Sequence, residues 1–317
     1  MKKSYLFLSS FVCSLPLWLA INYFQPALEN QLVNIELAKN PPQFLTMANL
    51  AQSFRILQAE ALENNCPLFA QSALAVRLKA DGQSQTLFAL NPQQLMAIAS
   101  LSKLMTAVVV NENFQPDASV VITQEALDQP DESGLLRLGE KMMVDDLLKV
   151  MLMESSNDAA FALASLLPEP QFMELMNAKA QALGMTNSYF FNPSGLDDED
   201  GSGRANYSTA RDLVKLAHYV IQQPVLMAIL SQKEYPLYVN GGLHHYLKST
   251  NELLGQVSGV LGGKTGQTDL AGGCLLEILA GDNPGEYVAA VVLNSPARFT
   301  DMRELIKCSN VEYVADY

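Results

Sequence analysis

Positive charge, histidine and cysteine are all scarce in this chain of 317 residues, and each shortage removes a class of function. Its 20 Lys and Arg stand against 33 Asp and Glu, a formal net charge of −13. That balance excludes a nucleic-acid partner, because phosphate neutralisation rewards clustered Lys and Arg. Acidity of this size bears on solubility and weakens non-specific binding. Three histidines are present, and His244 and His245 are adjacent in a hairpin-like stretch, where both cannot easily face one ion. No metal site and no cofactor are therefore expected. With no histidine near a nucleophile, a Ser-His-Asp triad also fits poorly.

Four cysteines do not make a disulfide framework at this length. Cys13 falls in an apolar N-terminal run. Of Cys66, Cys274 and Cys308 at most one pair can form, which leaves a thiol free. Cys274, inside the apolar run 271–280, reads as a buried small hydrophobe. Repeats and low-complexity tracts are absent too.

What is present is apolar material, 49% of the chain, ample for a packed core. Residues 1–24 read as an N-terminal membrane anchor or signal segment. Lys2 and Lys3 precede an uncharged, mostly apolar run from Tyr5 to Phe24. As a helix that run covers roughly 30 Å, one bilayer core. Positive charge ahead of it predicts a cytoplasmic N-terminus and an exported remainder, on the periplasmic or extracellular side of the cytoplasmic membrane, with Trp18 and Tyr23 as interface anchors. Neither Ala20, two places after Trp18, nor Ala27, two after Gln25, makes a good cleavage site, so a retained anchor is favoured over a cleaved signal. Pro16 argues the other way, although membrane helices tolerate proline.

Residues 25–65 read as a juxtamembrane stalk. Pro26, Pro41 and Pro42 interrupt its start, and 44–63 carries amphipathic helical spacing. The catalytic domain is expected over 66–317. Segments 72–80 and 85–90 are strand-like, with the hairpin signal Asp81-Gly82 between them. A helix is expected from about Ser100 to Asn113. Helical spacing then marks 144–153, 157–167, 169–183 and 208–222, with Ser208 or Thr209 capping the last. Strands return after Glu234, at 259–265, 271–280 and 287–293, and a helix over 299–308 closes the domain. A chain that begins and ends in sheet implies an α+β fold, an antiparallel sheet flanked by helices with a helical insertion.

Three short motifs carry the chemistry: Ser100-Leu101-Ser102-Lys103, Ser155-Ser156-Asn157 and Lys264-Thr265-Gly266. Singly each is weak; a lone Ser100 is most simply a helix cap and a lone Lys103 a surface lysine. Together and in this order they make a site. A turn of helix separates Ser100 from Lys103, so their side chains share a face. A serine hydroxyl needs a base to take its proton, and Lys103 can do so only when neutral. Burial and a nearby positive charge, for which Lys264 is the candidate, would lower its pKa. Ser155 is placed to relay a proton between Lys103 and a leaving amine, and Asn157 to hold a substrate amide. Lys264 and Thr265 suit a carboxylate, while Gly266 leaves room for an extended peptide along its strand. Backbone N–H groups of Ser100 and Gln267 would form the oxyanion hole.

The ordered trio, with its surrounding phrases, resembles the D-alanyl-D-alanine carboxypeptidase family of low-molecular-mass penicillin-binding proteins. Those phrases include Ala99-Ser100-Leu101-Ser102-Lys103-Leu104-Met105-Thr106, Gly139-Glu140 with Asp146-Leu147-Leu148, and Ser156-Asn157-Asp158-Ala159-Ala160. Further on come Asn192-Pro193-Ser194-Gly195-Leu196-Asp197, Tyr207-Ser208-Thr209-Ala210-Arg211-Asp212-Leu213, and Lys264-Thr265-Gly266-Gln267-Thr268-Asp269 with Ala271-Gly272. The likeness runs from about Cys66 to the C-terminus. It implies a penicillin-binding/β-lactamase-like transpeptidase fold and removal of terminal D-alanine from peptidoglycan stem peptides through an acyl-enzyme. It also implies β-lactams as covalent inhibitors and a role in cell-wall organisation and cell shape. Arg298 becomes a candidate to help bind the terminal carboxylate.

There are departures. Ser156 stands where glycine is frequent in the family and Glu154 where proline is, which puts the loop's shape in doubt. The β-rich C-terminal domain and membrane-binding tail of many members are not found after the closing helix, so the N-terminal run is expected to anchor the chain instead. That makes a D,D-endopeptidase, cutting cross-links, a close alternative. A β-lactamase is disfavoured, since no Glu-x-x-Leu-Asn phrase lies between the second and third motifs. A catalytically silent muropeptide or β-lactam binder is disfavoured by the intact Ser100, Lys103 and Lys264.

Overall fold

The computed structural model describes residues 66–80, 82–130, 135–198, 204–239 and 241–309. The segments 1–24 and 25–65, with the helix expected at 44–63, lie outside the described residues. Among the described residues, no single helix is long and apolar enough to cross a membrane.

Five antiparallel strands make the central sheet: β1 (Ser72–Leu78), β2 (Ser84–Leu90) and, from the far end of the chain, β9 (Val260–Thr268), β10 (Gly272–Ala280) and β11 (Tyr287–Ser295). Their order is β2-β1-β11-β10-β9, so chain start and chain end meet at β1 and β11, with Ala75 opposite Ala290. The β1–β2 connection turns where the sequence predicts, with Gly82 at φ +82° and its N–H donated to the Lys79 carbonyl. The inner strands are apolar on both faces, which is why they read as unbroken hydrophobic runs rather than alternating ones. Ala289, Val291 and Leu293 of β11 join the main core, while Val288, Ala290 and Val292 are buried on the opposite face.

Eight α-helices are described. α1 (Lys103–Asn113) is the hub of the helical layer, buried from Lys103 to Val110. A helix apolar all round has to be an interior one. Around it lie α2 (Gln124–Leu127), α3 (Val144–Met153), α4 (Asn157–Ala164), α5 (Glu169–Ala182), α6 (Ala210–Ile221) and α7 (Pro224–Leu230); α8 (Arg298–Cys308) packs on the sheet. Minor strands fill the gaps: β3 (Met96–Ala97) pairs with β6 (Tyr207–Ser208), β4 (Ser119–Val121) with β5 (Lys141–Met143), and β7 (Glu234–Val239) with β8 (Gly242–Lys248).

Three boundaries differ from the expected ones by three residues. Ser100 lies in a separate 3₁₀ turn, Ala99–Ser102, because Ser102 Oγ bonds back to the Ala99 carbonyl and tightens the chain there. α4 stops at Ala164, short of Leu167, the residue before Pro168, where proline disfavours helical backbone. β9 runs on to Thr268, since Gly266, Gln267 and Thr268 all find partners on β10. Thr209, not Ser208, caps α6, accepting the Asp212 N–H, and Ser208 bonds to the Ser188 hydroxyl.

Cys66 and Cys308 form a disulfide across 242 residues, and Cys274 is free and buried. The same corner is fixed by Asp301, whose carboxylate accepts from the Phe69 N–H at 3.0 Å and the Ser295 hydroxyl at 2.6 Å. Closing so long a loop restricts the unfolded chain. Cys308→Ser is expected to cost about 2–5 kcal/mol of stability. A reducing agent should lower the native thermal midpoint towards that of the variant and leave the variant's unchanged; equal midpoints without reductant would refute the stabilising role.

Candidate active site

The nucleophile turn is held from two sides. Ala99, just ahead of Ser100, has φ +46°, a left-handed conformation that costs a residue with a Cβ about 1 kcal/mol or more. Gly195 makes the turn possible, since a Cβ there would lie 1.9 Å from the Ala99 carbonyl oxygen. On the other side Gly266 of β9 approaches so closely that its Cβ would meet Ser100 N and the Ile98 carbonyl oxygen at 3.1 Å. β9 is the terminal strand of the sheet, and this turn lies against it.

Lys103 is fully buried, and its Nζ donates to Ser100 Oγ at 2.7 Å, Asn157 Oδ1 at 2.7 Å and the Ser194 carbonyl at 2.8 Å. The Asn157 amide cannot be turned, because its Nδ2 donates to the Pro130 carbonyl at 2.7 Å. Two fixed acceptors therefore hold two amine N–H bonds, and the third tetrahedral direction is the one facing Ser100. In a neutral amine that direction carries the lone pair, which is what can receive the Ser100 proton. Asn157, the expected partner of a substrate amide, thus bonds Lys103 through Oδ1 and the Pro130 carbonyl through Nδ2.

Ser155 is also left-handed, at φ +63°, and its Oγ accepts from Lys264 Nζ at 2.8 Å. Lys264 donates to the Thr265 carbonyl as well and is 1% exposed. Burial, and then the charge of Arg298, lower its pKa to about 7. The positive charge that the sequence reading asked of Lys264 is thus itself titratable near neutrality. Arg298, at the start of α8, donates to the Gly266 carbonyl and to Gln267 Oε1, so the three residues lie together at the end of β9. Half-buried, Arg298 has its own pKa lowered by desolvation.

Two partners were not legible in the sequence. Ser194 belongs to a phrase singled out by resemblance, but no side-chain chemistry marks its carbonyl as an acceptor. Thr250 reaches Thr265 hydroxyl to hydroxyl at 2.6 Å and carries no motif. Beside the end of β9 a groove of about 740 Å³ runs between Gln267–Leu270 and Pro130 with Leu196–Asp198. His244 and His245 face one another, with Glu140 and Glu154 at their outer nitrogens. Glu154, in the position the family often gives to proline, thus holds the β7–β8 hairpin beside Ser155.

A half-buried serine paired with a fully buried lysine, at the seam of an antiparallel sheet and a helical layer, is the arrangement of a serine acyl-transfer site of the penicillin-binding class. A family model described as D-alanyl-D-alanine carboxypeptidase matches residues 60–297, and the chain belongs to that family. It is 31% identical over 208 residues, 63% of the chain, to the D-alanyl-D-alanine carboxypeptidase DacF of Bacillus subtilis, and spans about half, 52%, of that relative's length. To a D-alanyl-D-alanine endopeptidase of Pseudomonas aeruginosa it is 33% identical over 222 residues, covering 66% of the chain and 68% of the relative. Among solved structures, penicillin-binding protein D2 of Listeria monocytogenes in its cefotaxime-bound form superposes with a TM-score of 0.66 at 32% identity, covering 77% of this chain and 98% of that one.

The lowered pKa of Lys264 has a consequence for stability. Between about pH 7 and its ordinary value near 10.5 the unfolded chain holds a proton that the folded chain has given up. Stability therefore rises with pH across that window, and below it the burial of Lys264 costs at most about 5 kcal/mol. Lys264→Met is expected to raise the thermal midpoint at pH 6 by more than at pH 9. An equal change at both values would show that Lys264 folds with its proton on.

Proposed function

We propose that the protein is a serine-type D-Ala-D-Ala carboxypeptidase that removes terminal D-alanine from peptidoglycan stem peptides. The observation that carries this reading is the Lys103 amine, 2.7 Å from Ser100 Oγ with its other bonds to Asn157 and Ser194. Ser100 Oγ attacks the penultimate carbonyl while Lys103 takes its proton. The backbone N–H groups of Ser100 and Gln267 hold the oxyanion. The Lys264–Ser155 pair delivers a proton to the leaving D-alanine amine, and Thr265 with Arg298 receives its carboxylate. Lys103 passes the serine's proton back to the Lys264–Ser155 pair, so it is neutral again when water resolves the ester; it then takes the proton that water gives up and returns it to Ser100 Oγ. The peptide lies extended along β9, as a strand added to the end of the sheet. A β-lactam opens on the same serine and stays there as a stable ester.

A second reading, cleavage of D-alanyl cross-links, is favoured by the Pseudomonas aeruginosa relative, which is named an endopeptidase. The chemistry is the same, and the group beyond the scissile bond differs. We also propose that the domain is exported and held at the cytoplasmic membrane by residues 1–24. The Cys66–Cys308 disulfide supports export, because such bonds persist in oxidising compartments.

The full-length chain in detergent, incubated with a fluorescent penicillin, is expected to gain one covalent adduct by intact mass. Ser100→Ala should gain none. A folded native chain without adduct would overturn the acyl-enzyme reading. Release of D-alanine from a monomeric pentapeptide, set against cleavage of a cross-linked dimer, then separates carboxypeptidase from endopeptidase.

A further inference from the structure

Glu277 of β10 is fully buried inside the sheet, and nothing in the reaction above uses it. It pairs with Gly263, the residue before Lys264. A Cβ at Gly263 would lie 2.3 Å from Glu277 Oε2 and 2.4 Å from the Leu276 carbonyl oxygen, so the glycine opens the slot that the carboxyl fills. Burial pushes the Glu277 carboxyl well above the usual carboxylate range, against a smaller downward pull from Asn251. Burial there favours the neutral acid over the carboxylate.

Its Oε2 accepts from Asn251 Nδ2 at 3.0 Å, while Oε1 is buried with no hydrogen-bond partner among the described residues. The Asn251 amide has one orientation, because its Oδ1 accepts the Leu253 N–H at 3.0 Å. Asn251 also donates its own N–H to Ser249 Oγ at 3.2 Å. These bonds fix residues 249–253, the strap between β8 and β9. From the strap Thr250 donates its N–H to the Met153 carbonyl at 2.9 Å, two residues before Ser155, and its hydroxyl meets that of Thr265. In a hydroxyl pair only one proton lies between the oxygens. With Thr250 as the donor, Thr265 keeps its proton for an anion.

We propose that Glu277 is a positioning residue for carboxylate recognition: through Asn251 it sets the strap whose Thr250 aims the Thr265 hydroxyl at the terminal carboxylate of the substrate. The inference rests on the carboxypeptidase reading, and it adds a specific expectation about selectivity. Glu277→Gln keeps a neutral group of the same shape and an oxygen for Asn251. Glu277→Leu keeps the volume and loses the acceptor.

The test uses the full-length chain and two peptides ending in D-Ala-D-Ala, one with a free C-terminal carboxylate and one amidated. The readout is the ratio of their kcat/KM values. Glu277→Leu is expected to lower the ratio about tenfold, the worth of one hydrogen bond to a charged group. Glu277→Gln should return it to within about twofold of the native value. Thr250→Val, at an exposed position, should lower the ratio as Glu277→Leu does, and it decides the matter if the leucine variant does not fold. A native ratio in Thr250→Val, or equal losses on both peptides in Glu277→Leu, would overturn the proposal. Absence of penicillin labelling in the native chain would instead overturn the reading on which it rests.

Discussion

Two lysines with at most 1% of their surface exposed, Lys103 and Lys264, set the terms on which the rest of the site is built. An amine taken out of water is tolerable only where its hydrogens find acceptors, and where they do not it gives up its charge. Lys103 takes its acceptors from three separate places: the 3₁₀ turn, the start of α4 and the loop after α5. Lys264 takes one from the loop between α3 and α4. Satisfying Lys264 ties the sheet to the helical layer, and satisfying Lys103 ties three parts of that layer together beside it. Neither layer holds a complete site alone.

Close approach is the second constraint. The turn bearing Ser100 is squeezed between Gly195 and Gly266, and any side chain at the first would strike the Ala99 carbonyl. Of the five left-handed non-glycine residues among those described, two fall at the site: Ala99 beside the nucleophile and Ser155 in the second motif. Backbone held against its preference persists where surrounding contacts over-determine it. Here those contacts are Ser102 to the Ala99 carbonyl and Lys264 to the Ser155 hydroxyl.

How much of this could be read in the chain follows from which relations are local. The Ser100–Lys103 pairing is one turn of backbone and was legible from spacing. The strands of the main sheet and the long helices were legible because the inner ones are almost wholly apolar and the outer ones periodic; α2, α7 and the short strands β3 to β6 were not, being too short to show a period. That Asn157 orients Lys103 was not legible, since the Pro130 carbonyl that fixes its amide is 27 residues away. Ser194 acts through a backbone atom, which no residue type announces. The slot for Glu277 depends on the β9–β10 register, which sets it opposite Gly263, and register is a tertiary fact. The cysteine count allowed one pair and left its partners open; the pairing appeared only when β1 and α8 were placed side by side.

The electrostatics at the end of β9 tie binding to proton transfer. Arg298 lowers the pKa of Lys264 because two cations share a poorly solvated corner. An anion arriving there removes that repulsion and favours the charged amine. On the carboxypeptidase reading, carboxylate binding and protonation of Lys264 are then linked, each strengthening the other by the same free energy. Lys264 donates to Ser155, which on that reading passes the proton to the leaving amine. The substrate that brings the carboxylate thus loads the proton that its own departing D-alanine needs. On that reading a peptide without the carboxylate would meet a site short of that proton, and selectivity and catalysis would draw on a single charge balance.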